Sequence, residues 1–104
     1  SIHAHPEYEM VSAAANKVIK RVTEATQKMG DCELVEQAKA YSKDLAENVL
    51  KFFQGKRHLL NITGLGGLLP YHGIVAVGKS LEQAFSVIER IEWDARCNIF
   101  GKLI

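Results

Sequence analysis

Cysteine is scarce in this chain: there are two in 104 residues, Cys32 and Cys97, far apart and without CxxC spacing. That count offers no disulfide framework, and both thiols are expected to be reduced, helix-borne residues of the core or its edge. Long hydrophobic runs are missing too. Stretches such as Ile74 to Val77 fall far short of the ~20 apolar residues a bilayer crossing needs, so no membrane partner is expected. There is no charge excess of either sign, with 13 Lys+Arg against 12 Asp+Glu and a formal net charge of +1. Such a balance gives no electrostatic footprint for nucleic acid or anionic lipid. The densest basic group, Lys51, Lys56 and Arg57, reads as a solvated helix end. No internal repeat, low-complexity segment or signal peptide is recognisable, and a cytoplasmic location is expected. What is present is an ordinary globular composition, 47% hydrophobic and 24% charged, in a length that makes one domain at most.

The opening residues, Ser1-Ile2-His3-Ala4-His5-Pro6, read as a β-strand carrying two imidazoles two positions apart. Side chains alternate faces along a strand, so His3 and His5 point the same way, with Ala4 opposite. Imidazole pairs at this spacing suit a divalent metal, the alternative for the pair alone being an exposed, frayed N-terminus whose imidazoles are merely solvated. Zinc in a catalytic site takes three protein ligands and keeps one position open, so a third ligand is required. His72, between the apolar run Leu68-Leu69-Pro70-Tyr71 and a following strand, is the candidate. His58, beside Lys56 and Arg57, reads as a surface residue. A chain that opens without Met, directly on a ligand-bearing strand, is expected to be part of a larger protein, because that strand needs neighbours to pair its edges.

Pro6 stops regular pairing and a helix is expected from about Glu7. Met10, Ala13, Ala14, Val18, Val22 and Ala25 recur near a period of 3.6, which predicts about five amphipathic turns ending at Met29-Gly30. Asp31 is the expected N-cap of a second helix, with Leu34, Val35 and Ala38 on its apolar face. Ser42 is placed to cap a third, whose Leu45, Val49 and Phe52 or Phe53 repeat along one side as far as Gln54-Gly55. His58 to Ile62 reads as a short strand and Thr63 to Gly67 as a flexible loop. Strand segments then flank His72, with Pro70 indicating an edge or bulge. Ser80 and Gln83 form a capping box for a last helix, with Gln83 expected to reach back to the Ser80 amide. Leu81, Ala84, Phe85, Ile88, Ile91, Ala95 and Ile99 are its expected buried face, opposite Glu82, Glu89, Glu92 and Arg96.

Other chemistry is less specific. Gly64-Leu65-Gly66-Gly67 could cradle a phosphate, but lacks both Walker spacing and a helix directly after it, so a plain connection is preferred. Glu7 and Glu9, the carboxylates nearest the first histidines, are better explained by the helix dipole. Tyr8, Tyr41 and Tyr71 could donate protons, although amphipathic interface roles are commoner. Trp93 and Phe100 are expected to pack against another element or subunit.

With these residues in view, the chain resembles the class II aldolase/adducin family, which includes the fuculose-phosphate and rhamnulose-phosphate aldolases. The resemblance lies in His3-Ala4-His5-Pro6 and, most specifically, in the run from Leu68 to Phe85, with its His72-Gly73 pair, turn glycine Gly78 and helix opening Leu81-Glu82-Gln83-Ala84. Asp44 to Val49 resembles the helix that precedes this strand in the family. The resemblance implies an α/β fold, a three-layer α/β/α sheet with flanking helices, in which residues 1–104 form the C-terminal portion and the sheet is incomplete at the N-terminus. It implies Zn2+, or another divalent metal, on His3, His5 and His72. The implied activity is zinc-dependent reversible carbon-carbon cleavage of a sugar phosphate, giving a dihydroxyacetone-phosphate-type product and an aldehyde. It also implies a homo-oligomer with active sites between subunits. Pentulose-phosphate epimerases and non-catalytic adducin-like assembly modules share the fold and are the alternatives. The family's glycine-rich phosphate-binding segments, its acidic general acid/base and its catalytic tyrosine have no counterpart that can be placed here, so the catalytic residues are unassigned.

Overall fold

The computed structural model describes residues 2–23, 27, 30–59 and 64–102. Strand β1 (Ile2–Ala4) leads into helix α1 (Glu7–Ala14). Helix α2 (Lys43–Gln54) is followed by a 3-10 turn over Arg57–Leu59, strands β2 (Leu65–Leu69) and β3 (Gly73–Val77), and helix α3 (Leu81–Gly101). The sheet runs in the order β1-β3-β2 with both pairings antiparallel. β2 and β3 form a hairpin closed by Pro70-Tyr71-His72, where the His72 amide donates to the Leu69 carbonyl at 2.9 Å. Proline at the first central position and a positive φ at the second, Tyr71 at 60°, are the features of a type II turn.

Neighbouring residues of β2 explain its glycines. A Cβ on Gly66 would run into Ile91 Cδ1 of α3, and one on Gly67 would lie 2.8 Å from Phe52 Cε1 of α2. Adjacent strand residues face opposite ways, so α3 and α2 approach the sheet from opposite sides. The core lies mainly on the α3 side, where Ile74, Leu68 and Ala76 of the sheet meet Ala84, Val87, Ile88, Ile91 and Ala95, all buried.

The expected boundaries of α2 and α3 agree with those found, and their caps form. Ser42 Oγ accepts from the Leu45 amide and Ser80 Oγ from the Gln83 amide, each at 3.1 Å. Gln83 does not return to the Ser80 amide, however; its Oε1 accepts from the Lys79 amide at 2.6 Å. The exposed side of α3 also differs from its apolar pattern. Leu81 and Phe85 are 69% and 55% exposed, while Val87 and Asp94 are buried.

Between α1 and α2 the sequence expectation fails over residues 15–22 and 31–38, while Gln27 is helical, its amide donating to the Thr23 carbonyl at 3.0 Å. α1 stops at Ala14, and Asn16 turns the chain with φ 56°, a conformation asparagine tolerates better than most residues. Instead of continuing the helix, residues 19–22 bind α3 side chains. The Lys20 amide donates to Asn98 Oδ1 at 3.0 Å, Asn98 Nδ2 donates to the Lys20 carbonyl at 2.9 Å, and Arg21 Nε pairs with Asp94 Oδ2 at 2.8 Å. Burial raises the Asp94 carboxyl above its ordinary range, against the lowering influence of Arg21 and of the Val22 amide. The Ala25 end of the expected helix lies outside the described residues.

The helix expected after Asp31 is also absent. Cys32 bridges Ile19 in antiparallel fashion and Leu34 bridges Leu68 in parallel. Glu33 and Val35 exchange backbone hydrogen bonds with Leu68 at 3.0 and 2.8 Å, so this segment extends the sheet beside β2. Its apolar residues suit either state, and the open edge of β2 selects the extended one because backbone groups there need partners. Cys32 is therefore strand-like rather than helix-borne. It is a buried thiol whose Sγ donates to the Gly66 carbonyl at 3.7 Å, and desolvation pushes its pKa up to about 12. Arg57–Leu59 forms a 3-10 turn where a strand was expected, and the rest of that segment, 60–62, lies outside the described residues. Of the stretch expected as a flexible loop, Leu65-Gly66-Gly67 is packed strand and Gly64 is buried just before it, while Thr63 also lies outside the described residues.

Candidate metal centre

β1 and the β2–β3 turn bring three histidines together. Ile2 and Ala4 pack against the core, so alternation turns His3 outward, and His5 continues the same phase just beyond the strand. Register pairs His3 with Val75 and Ala4 with Ile74, which sets the end of β1 beside the turn carrying His72. Gly73 permits that approach. Its φ is 156°, and a Cβ there would strike the Ala4 carbonyl oxygen and lie 2.9 Å from His5 Cδ2. The His-Gly pair thus has a steric reason.

The ring nitrogens converge. His3 Nε2 lies 3.1 Å from His5 Nε2 and 3.1 Å from His72 Nε2, and one nitrogen from each ring falls within 4.8 Å of the others. Tetrahedral sharing of one zinc at 2.0–2.1 Å would separate ligand nitrogens by about 3.3 Å. The donor set fits a divalent metal. His3 Nδ1 sits 3.1 Å from the Ile74 carbonyl, which can only accept, so Nδ1 carries the hydrogen and Nε2 presents its lone pair to the cluster. Burial lowers the His3 pKa, as do the neighbouring His5 and His72, while the Ile74 carbonyl opposes the shift. A neutral ring is the form a metal requires. His58 stands apart, exposed in the 3-10 turn.

Three residues near this end of the molecule were not assigned these roles from sequence. Tyr41 is fully exposed, has φ 61°, and places its ring centroid 6.4 Å from that of His72. Glu92, expected on the solvent face of α3, crosses to the start of α1. Its Oε1 accepts from the Glu9 amide at 2.7 Å and its Oε2 from the Tyr8 amide at 3.0 Å. The α1 dipole is therefore met by Glu92, and Glu9 turns inward. Glu9 is fully buried, neither of its carboxyl oxygens has a hydrogen-bond partner, and its pKa is raised to about 8 by desolvation first and the Glu92 charge second. Only the exposed Glu7 keeps the role expected of both. No sequence signal announced this, since the pair Glu7 and Glu9 looks the same whichever one is buried.

The protein thus combines an α/β fold with an imidazole triad, set between an edge strand and a hairpin turn, whose donor set suits a divalent metal. Residues 1–99 match the family described as class II aldolase and adducin N-terminal domain, and the chain belongs to that family. Among solved structures it is similar to an L-fuculose 1-phosphate aldolase, at 30% identity and a TM-score of 0.74, over 96% of this chain and 44% of that one. The chain therefore spans less than half the length of that aldolase. No curated protein sequence matches it.

Proposed function

We propose that the chain is the metal-binding portion of a class II aldolase that cleaves a sugar phosphate reversibly to a dihydroxyacetone-phosphate-type product and an aldehyde. The observation that carries this reading is the meeting of the His3, His5 and His72 ring nitrogens in a member of this family. A divalent ion held by the three, zinc or another, supplies Lewis-acid polarisation of substrate oxygens, and three imidazoles leave room for them. The Ile74 carbonyl fixes the His3 tautomer and ring orientation. The Leu69–His72 turn and Gly73 set the distance between the two ligand-bearing segments. We also read the sheet, with α2 and α3 on its two sides, as the middle of a three-layer α/β/α arrangement. The assembly is read as a homo-oligomer of cytoplasmic location; no helix among the described residues is long and apolar enough to cross a membrane.

Catalysis needs more than a metal. Among the described residues the metal-holding group contains no carboxylate, and Gly66 and Gly67, once open to a phosphate-binding role, lie under Ile91 and Phe52. A missing general acid/base costs about 10²–10⁴ in rate, and an unanchored phosphate loses orientation as well. The 104-residue chain is accordingly expected to bind zinc weakly and to cleave no sugar phosphate. Calorimetric titration with zinc, on the parent and on His72→Ala, tests the site. Undiminished zinc binding by His72→Ala would remove it. Robust retro-aldol turnover of fuculose or rhamnulose phosphate by the zinc-loaded chain would show that the catalytic machinery is already complete.

A further inference from the structure

At the far end of α1 from the histidines, α1, residues 17–22 and the last turns of α3 enclose an open groove of about 860 Å³. Its size falls within the ~300–1,000 Å³ usual for small-molecule sites. Val11, Val18 and Val22 contribute to its walls while remaining 52%, 40% and 42% exposed, and Ile99 joins them from α3. Apolar side chains left open in one concavity mark a binding surface more often than scattered ones do.

The charged residues among its described lining have one sign. Lys17, Lys20, Arg21 and Lys102 all line the groove, and among its described lining residues there is no Asp or Glu. Arg21 is partly neutralised by Asp94, which leaves three lysines as the available charge. The wall bearing Lys20 is held in place through its backbone, by the paired hydrogen bonds to Asn98 and by the Val22 amide on Asp94 Oδ1 at 3.4 Å. The groove is thus built before any ligand arrives.

We propose that this groove binds a free amphiphilic anion, a small molecule with a short alkyl or aryl body and a phosphate, sulfonate or carboxylate head. The valines and Ile99 receive the apolar body, and the lysines receive the head. A planar lipid surface does not enter a concavity between two helices, and a second copy of a chain with net charge +1 brings no excess of negative charge. None of the three clustered histidines is among the groove's described lining residues.

Octyl phosphate, octanol and inorganic phosphate, each titrated into the full chain and followed by amide chemical shifts, test this. Octyl phosphate should bind at least about tenfold more tightly than either of the others, shift residues 11–22 and 97–102, and weaken as salt is added. Lys20→Glu and Val18→Asp are both surface changes, and each should weaken it by about tenfold with the thermal melt unchanged. Equal affinity for octanol, or an unchanged affinity in both variants, would overturn the proposal. So would co-sedimentation with phosphatidylglycerol vesicles in place of octyl phosphate binding, or self-association that Lys20→Glu abolishes.

Discussion

Replacing the buried Glu9 by Gln should change how stability depends on pH. The Glu9 side chain is fully buried with both carboxyl oxygens unpartnered, beside a Glu92 carboxylate committed to the α1 amides. Its pKa rises from an ordinary 4.5 to about 8. The folded protein therefore keeps this proton over a range in which the unfolded chain releases it. The contribution to stability is complete below pH 4.5 and is lost as pH climbs towards about 8. Each pH unit inside that window removes at most about 1.4 kcal/mol. From pH 5 to pH 7 the ceiling is about 2.5 kcal/mol, and water penetration around the group reduces the expected loss to about 1–2 kcal/mol. Gln has nearly the shape of the protonated acid and does not titrate. Urea unfolding at pH 5, 6, 7 and 8 should show the parent losing stability relative to Glu9→Gln as pH rises, with the curves closest at pH 5. Subtracting one curve from the other removes every titration the two proteins share. Parallel curves across this range, or a variant that weakens relative to the parent with rising pH, would refute the assignment of a neutral buried acid.

Gly73→Ala should destabilise the fold by about 1–3 kcal/mol, because its methyl meets the Ala4 carbonyl, and should weaken zinc binding in calorimetry by displacing His5. Unchanged affinity would separate the histidines from the β1–β3 register. Arg21→Ala leaves the Asp94 carboxylate buried without its cation and should cost about 3–5 kcal/mol in urea unfolding, with Asp94→Asn recovering part of the loss in the double variant. If the two changes are additive, the pair is not coupled. Trp93 and Phe100 are 55% and 45% exposed, and Arg96 lies 5.8 Å from the Tyr8 ring centroid and 6.0 Å from that of Trp93, a grouping typical of interface anchors. Light scattering should report an oligomer that Trp93→Ala weakens; a strict monomer at high concentration would count against it.

Helices with a cap and a regular apolar period were legible without coordinates. α2 and α3 begin where Ser42 and Ser80 accept their amides, since a capping hydroxyl and the residues after it are local features of the chain. The histidine triad was legible for a similar reason: alternation of side chains along a strand requires only one dihedral habit, and the His72-Gly73 pair marks a turn running into a strand. The convergence itself depended on register, and register is set by the contacts of β1 with β3. Residues 15–22 and 31–38 show the limit. Their apolar spacing suits a helix, yet the backbone is claimed by partners distant in sequence, Asn98 and Asp94 for one part and Leu68 for the other. Local propensity is worth a few tenths of a kcal/mol per residue, whereas an unpaired buried backbone group costs more than that. The same reasoning covers the glycines of β2, which look like a flexible loop in sequence and become a close-packed strand once Ile91 and Phe52 occupy its two sides. Which of two neighbouring glutamates is buried, and which distant glutamate caps the first helix, was likewise decided by α3 lying along α1, because burial is a property of the packed pair and not of either helix alone.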